Sequence, residues 1–494
     1  LSFNVSRRYF FYGSLLAGAI PTAGFGSSTS LSRLGYKSPN EKLNVAGIGV
    51  GGKGRSDLAG CNSENIVALC DVDDLRAAET YKRYPNAPRY QDFRKMLDKE
   101  GKNIDAVTIS TPDHMHAIAA NWCMERGKHV YVQKPLTRTV WEARFLRAQA
   151  NKFKVATQMG NQGYSNEGTR QLAEIIWSGE IGDVTEVHAW TDRPLWPQGV
   201  TSVPAPETVR STMAWDLWLG IANDRPFTEG GPEYSKWGGF YAPFNWRGFF
   251  DFGCGALGDM ACHILGAPNL ALQLGIPTSV ECVKQEGTSD FMFPKSSVIR
   301  FDFPARGSMP ALKLFWYDGM KENPKLEGVP EGEWVGDLPT LPRTPGQAPE
   351  SSPYVGPVFD YEKFQAVQSN PDKRIPTPNG SVFIGTKGIA TTGTYGENTR
   401  LLPVSKMADY KWPEKFLTRS PGHSADWIRA CKGGEQACSN FNVAAPFVEW
   451  MLLGVSALRV NGKLQYDPVK MAFTNNKEAN QFLQPTLRKG WTWS

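Results

Sequence analysis

Apolar and polar positions change period repeatedly along the first third of the chain. Leu43–Ile48 is a short apolar run of the buried-strand kind, and it passes directly into glycines. Ile66–Cys70, Ile104–Ser110 and Val130–Val132 are further short β-branched or apolar runs. Between them, Arg55–Gly60, Asp73–Tyr84, Asp92–Lys99, Ile118–Arg126 and Val140–Lys152 mix apolar and charged residues at helical spacing. Strands alternating with helices through short connections predict a doubly wound parallel sheet over residues 43–158. Ligands of such sheets sit at the carboxyl ends of the strands. Gly49–Gly52, Asp71, Thr111–His116 and Gln133-Lys134 all fall at those ends.

The pattern loosens afterwards, and residues 159–494 read as a larger α+β block. Thr169–Trp177 has helical spacing, and Gly182–Trp190 alternates like a half-buried strand. Residues 295–318 and 380–402 read as strands, with Gly385–Gly388 as a turn between two of them. Gly422–Cys431 and Ala444–Leu458 read as amphipathic helices. Two long stretches lack periodicity: Gly199–Phe250, which holds Trp215, Trp218, Trp237 and Trp246, and a proline-rich insertion or lid from about Asn323 to Pro357. Connections this long are usually functional. No internal repeat is visible.

Composition narrows the functional classes. At 494 residues the chain suits two or three domains, and a formal charge of +5 without a basic run gives no indication of nucleic acid. The 16 tryptophans suit either a large core or aromatic faces for a sugar. The eight cysteines show no zinc spacing, and Cys431 and Cys438 flank a turn that leaves a bridge between them open. Ser6-Arg7-Arg8 followed by aromatics and the modest apolar run Tyr12–Ile20 reads as a twin-arginine export signal, with a linker to residue 42. That run is shorter than a membrane span, and no spanning segment is expected. The expectation is an exported, periplasmic protein that folds and takes up its cofactor before export, membrane-associated if the signal stays attached.

The chemistry collects at the strand ends. Gly47, Gly49 and Gly52 have G-x-G-x-x-G spacing, and with Val50 and Gly51 they form a turn suited to a pyrophosphate. Asp71 lies about 20 residues beyond, where a carboxylate accepts a ribose 2′-hydroxyl. Asp73 and Asp74 would repel a 2′-phosphate, which favours NAD over NADP. Thr111, Pro112 and Gln133 complete the expected cofactor contacts, and His116 is read as a neighbour of the ribose or nicotinamide, or as a helix cap. His114 and His116 have no ligand partners nearby in sequence, and no metal is expected. Arg193 and Trp196 suit a sugar's hydroxyls and apolar ring face, and Trp246 and Arg247 are further substrate candidates. Asp259 and His263 share one helix face at i,i+4, a spacing that lets a carboxylate orient an imidazole of near-neutral pKa.

These motifs occur in one order: the glycine turn, Thr111-Pro112 with His116, Lys134-Pro135, then Asp259 and His263. In that order the chain resembles the family of glucose–fructose oxidoreductase, inositol dehydrogenase and rhizopine-catabolism oxidoreductases, over roughly residues 43 to 480. The resemblance implies a Rossmann domain followed by an open, mostly antiparallel sheet covering the nicotinamide. It also implies Lys134, His263 and Asp259 as the catalytic, proton-handling set. The family commonly has Glu-Lys-Pro where this chain has Gln133-Lys134-Pro135, and a neutral amide cannot hold an ammonium charged, so Lys134 is expected to deprotonate more easily here. Three functions compete. One is an NAD-dependent sugar, polyol or glycoside oxidoreductase with a tightly bound cofactor. The second is a redox-neutral glycosidase working by oxidation, elimination and re-reduction, and the third a sugar-binding protein without catalysis. A homo-oligomer, dimer or tetramer, is expected through the open sheet.

Overall fold

The computed structural model describes residues 41–339, 358–369 and 378–493. The expected export signal, and the part of the proline-rich insertion over residues 340–357, lie outside the described residues.

The first domain alternates as its sequence pattern predicts: β1 (Asn44–Ile48), α1 (Lys53–Ala59), β2 (Asn65–Cys70), α2 (Asp74–Arg83), β3 (Arg89–Tyr90), α3 (Phe93–Glu100), β4 (Ala106–Ile109), α4 (His116–Glu125), β5 (His129–Val132), α5 (Val140–Phe153) and β6 (Thr157–Met159). All six strands are parallel, in the order β3-β2-β1-β4-β5-β6. Every residue of β4 and β5 is buried, as in a parallel sheet covered on both faces. Side chains set the helix starts: Asp73 accepts from the N–H groups of Leu75 and Arg76, and Thr139 with Glu142 forms a capping box. The order reverses between β1 and β4, and a crevice opens there at the carboxyl ends.

The second block comprises α6 (Glu167–Ser178), β7 (Val184–Trp190), α7 (Trp215–Leu219), α8 (Gly255–Ile264), α9 (Gly266–Ala271), β8 (Ser279–Glu286), β9 (Ser296–Phe303), β10 (Leu312–Asp318), α10 (Tyr361–Gln368), β11 (Gly380–Gly385), β12 (Ile389–Thr392), β13 (Arg400–Leu402), α11 (His423–Cys431), α12 (Phe441–Val460), β14 (Lys463–Asp467) and β15 (Ala472–Phe473). Its nine strands run β13-β12-β11-β7-β10-β9-β8-β14-β15, antiparallel except for the parallel pair β7–β10. Along β9 buried and half-buried residues alternate strictly, so the sheet has one inner face. Gly454 of α12 approaches Leu257 of α8 and Phe301 of β9, which places both helices against that face.

Two expectations need correction. The amphipathic helix expected over Ala444–Leu458 is α12, buried on most sides. By length and composition it could cross a membrane, but 72% of its apolar window is buried inside the fold. The other correction concerns α11. Its Trp427, Ile428 and Cys431 join Leu43, Val45, Leu69, Ala106 and Tyr131 in one cluster, so a carboxyl-terminal helix completes the core of the first domain. Cys431 and Cys438 are free thiols: Cys431 is buried in that cluster, and Cys438 Sγ lies 3.2 Å from Ser165 Oγ.

Candidate functional site

A cleft of about 440 Å³ opens over the carboxyl ends of β1, β2, β4 and β5 and extends beneath the loops of the second block. Gly49, Gly51, Asp71, Thr111, Pro112, Gln133 and Lys134 line it from the first domain. Arg193, Trp196, Trp246, Arg247, Asp259 and His263 line it from the second.

The glycine turn is built by close approach. Gly49 has φ +74°, and a Cβ there would lie 2.7 Å from the carbonyl oxygen of Ser110 on the neighbouring strand end. Close helix–strand contact falls at Gly54, where a Cβ would run into the carbonyl of Gly49; Gly52, at φ +52°, faces the Arg76 guanidinium. Gly47 lies within β1, and Val50 turns its side chain into the core. Asp71 Oδ2 accepts the N–H of Gly51 at 2.9 Å and Oδ1 that of Asp73 at 3.0 Å. Burial pushes its carboxyl up to about 6 although those two N–H groups pull it down. Each oxygen retains a lone pair for a ribose hydroxyl.

His116 does not reach the cleft. Its Nδ1 lies 2.8 Å from the Pro135 carbonyl oxygen and its Nε2 2.9 Å from that of Thr111, so the ring fastens the Lys134-Pro135 turn to the end of β4. Burial pushes its pKa down to about 4, so the neutral ring donates to only one of these carbonyls, and both nitrogens face backbone rather than the cleft. His114 similarly faces the carbonyls of Trp218 and Leu219.

At the floor, Lys134 Nζ donates to Asp259 Oδ1 at 2.8 Å and to the Asp259 carbonyl oxygen at 2.7 Å. Arg247 Nε donates to the same Oδ1 at 3.1 Å. Burial would raise the Asp259 carboxyl, but the charges of Lys134 and Arg247 hold it well below the usual carboxylate range. The expected pairing of Asp259 with His263 is therefore replaced by Lys134–Asp259–Arg247. His263 is buried with Nδ1 unpartnered, its ring edge-on to Tyr395 at 4.8 Å. Burial, and then the Lys134 charge, push the imidazole well below its ordinary 6.5, so the expected near-neutral pKa does not hold. Behind this group, burial pushes the Asp113 carboxyl up to about 7 despite Arg247 and Lys134.

Aromatic rings form the far wall. Arg247 lies 4.0 Å over Phe244 and 4.3 Å over Trp246, and Trp237 stacks on Phe244 at 4.7 Å. Trp196 meets Phe244 edge-on and donates to Gln198 Oε1 at 3.0 Å. Arg193 pairs with Asp192 at the rim. Trp237 lines the cleft from the long stretch expected to be functional, whereas Phe244, Tyr395 and Trp491 also line it but were missed in the sequence, because nothing local marks them. Asp57 was missed too: its Oδ2 accepts from Gln133 Nε2 at 2.9 Å and from Ser110 Oγ at 2.8 Å, and its Oδ1 pairs with Lys53.

A glycine turn at a β1/β4 crevice, an acidic residue closing β2 and a buried unpaired imidazole over the same cleft fit a dinucleotide. Residues 43–161 match an oxidoreductase family with an NAD-binding Rossmann fold. The first domain is thus similar to the nucleotide-binding domain of that family.

Inositol 2-dehydrogenase of Salmonella typhimurium is 31% identical over 186 residues, 36% of this chain and 54% of the relative. A glycosyl hydrolase family 109 protein of Shewanella putrefaciens is 32% identical over 208 residues, 37% of this chain and 44% of that one. The chain thus spans about half the length of the curated relatives it matches. The fold carries further. The WlbA dehydrogenase from Chromobactrium violaceum, solved with NADH and UDP-GlcNAcA, superposes with a TM-score of 0.55 at 13% identity, over 88% of this chain and 98% of that one. A levoglucosan dehydrogenase in complex with NADH gives 0.51 at 16% identity, over 86% and 99%.

Proposed function

We propose that this chain oxidises a hydroxyl of a sugar, polyol or glycoside, with NAD held in the cleft. The observation that carries the reading is that the buried imidazole of His263 lines the same cleft as Lys134 and the glycine turn. Bound NAD would supply the hydride acceptor. A neutral imidazole can take the hydroxyl proton as the carbon loses hydride, and the ring's depressed pKa keeps it neutral through ordinary pH. Lys134, held by Asp259, offers a cation to the oxygen on which negative charge develops. Arg247 steadies Asp259 and, with Trp196, Trp237 and Trp246, gives the substrate side the amphipathic wall that a ring bearing hydroxyls requires. The export expected from the amino-terminal segment belongs to the same proposal, since a periplasmic enzyme must carry its nucleotide with it.

A redox-neutral glycosidase is the second reading, favoured by the likeness to the family 109 glycosyl hydrolase. One preparation tests both. The purified protein is denatured and the released nucleotide identified, and the native protein is then offered free polyols and aryl glycosides. Stoichiometric NADH with a free sugar supports net oxidation, and aglycone release without NADH supports the glycosidase. Failure to bind NAD, or turnover undiminished in His263→Ala, overturns the site assignment. Sugar binding without turnover would leave only a binding protein.

A further inference from the structure

Two segments from outside the parallel sheet meet over the adenosine end of the cleft, and one arginine fastens them together. Residues 210–214 of the long connection lie along residues 72–74: the N–H of Asp74 donates to Thr212 O at 2.9 Å, and that of Ala214 to Val72 O at 2.8 Å. Thr212 Oγ1 donates to Asp73 Oδ1 at 3.2 Å, and Arg210 pairs with Asp73 Oδ2 at 3.3 Å. Met213 thereby lines the cleft beside Asp71, where a Rossmann sheet places the adenosine ribose. From the other side the carboxyl-terminal tail brings in Trp491. Its ring lies 6.2 Å from that of Phe93, with the Arg94 guanidinium 4.3 Å over it, and both rings line the same end of the cleft.

Arg488 is the fastener. Its Nε donates to Gly220 O at 2.9 Å and its Nη2 to Asp216 O at 2.8 Å; Nη1 donates to Asp216 Oδ1 at 2.7 Å and also to Asp224. Its backbone N–H donates to Ile221 O at 3.0 Å. The guanidinium is thus spent on α7 and the turn after it, and its side chain is only 10% exposed.

We propose that Arg488 and Trp491, with residues 210–224, form a clasp that holds the adenosine half of NAD in place through successive turnovers. The proposal rests on the reading that the cleft holds NAD. Adenine is a flat, largely apolar ring, and Phe93, Met213 and Trp491 give it walls on the side where Asp71 takes the ribose. Nucleotide leaving by that end must part the tail from the loop, which means breaking the charge-assisted hydrogen bonds of Arg488. Residence time is therefore set by residues that touch no reacting atom.

The test uses the full chain loaded with radiolabelled NAD, and reads label release into excess unlabelled NAD. Arg488→Ala and Trp491→Ala should each release NAD about tenfold faster or more, as expected for losing a charge-assisted contact or an aromatic wall. Asp216 and Asp224 are about four-fifths exposed, so removing Arg488 strands no buried carboxylate and the variant keeps its fold, which circular dichroism checks. Arg488→Lys, which keeps the charge but loses the fork, should fall between native and alanine, and carries the same test should Trp491→Ala fail to fold. Native-like release from folded Arg488→Ala and Arg488→Lys overturns the clasp and leaves the NAD reading standing. A native protein that binds no NAD at all overturns both.

Discussion

Gln133 stands where the family resemblance leads one to expect a glutamate, and its partner is a carboxylate. The buried carboxamide donates to buried Asp57, and its oxygen accepts the backbone N–H of Lys134 at 3.3 Å. The carboxylate beside it is that of Asp57 on α1, where Lys53 pairs with it. The Lys134 ammonium, meanwhile, pairs with Asp259. A glutamate at 133 would set two buried carboxylates against each other. Gln133→Glu should therefore destabilise the fold by about 1–3 kcal/mol. Adding Asp57→Asn should restore most of the loss, because a donor then faces the new carboxylate. Urea unfolding of the single and double variants checks this. Equal stability of Gln133→Glu and the native chain would remove Asp57 from the account.

Elements were legible where side-chain period and burial agree. The strands of the first domain, α8 with Asp259 and His263 on one face, and the β11–β12 turn at Gly385–Gly388 all follow from local pattern. β8 did not, because its register shifts between Cys282 and Lys284 and turns Val283 outward, which breaks the alternation. Contacts distant in sequence were illegible for a different reason. Spacing puts Asp259 and His263 on one face, but only the packing of two domains decides that the carboxylate turns to Lys134 and Arg247. At the end of β10, Asp318 faces Ser297 of β9, and its Oδ2 accepts from Ser297 Oγ and Trp316 Nε1 while Oδ1 is buried without a partner. Burial pushes this carboxyl up from 3.8 to about 7. The folded state therefore keeps a proton that the unfolded chain releases near 3.8. This contribution is fully present below 3.8, declines as pH rises, and is lost above about 7. Asp318→Asn cannot ionise, so between about pH 5 and about pH 8 its stability should fall less than that of the native protein, by an amount on the order of 2–4 kcal/mol. Denaturant unfolding at both pH values measures the difference, and identical pH slopes would show that the carboxyl ionises freely in the fold.

At the scale of the molecule, the division at residues 158 and 159 is a division of sequence more than of core. β6 runs on to Met159, and α11 lays Trp427, Ile428 and Cys431 against Leu43, Val45, Leu69 and Tyr131. Trp427 is wholly buried there, and burying a side chain of that size contributes about 3–5 kcal/mol by comparison with alanine. Lys432, next after α11, pairs at 2.9 Å with Glu64, whose carboxylate also accepts the N–H of Leu43 at 2.6 Å, so the first strand is tied to a helix nearly four hundred residues away. A fragment of residues 41–158 would expose this apolar face and strip Glu64 of its cation. It should lack fixed tertiary packing: retained far-ultraviolet helix signal, little near-ultraviolet signal, and binding of an apolar dye. The intact chain should unfold with the two halves coupled, and Trp427→Ala should lower the first domain's resistance to amide exchange although the substitution lies in the second half. A fragment that gives sharp, dispersed amide resonances would show that the nucleotide domain closes its own core and that α11 is an addition to it.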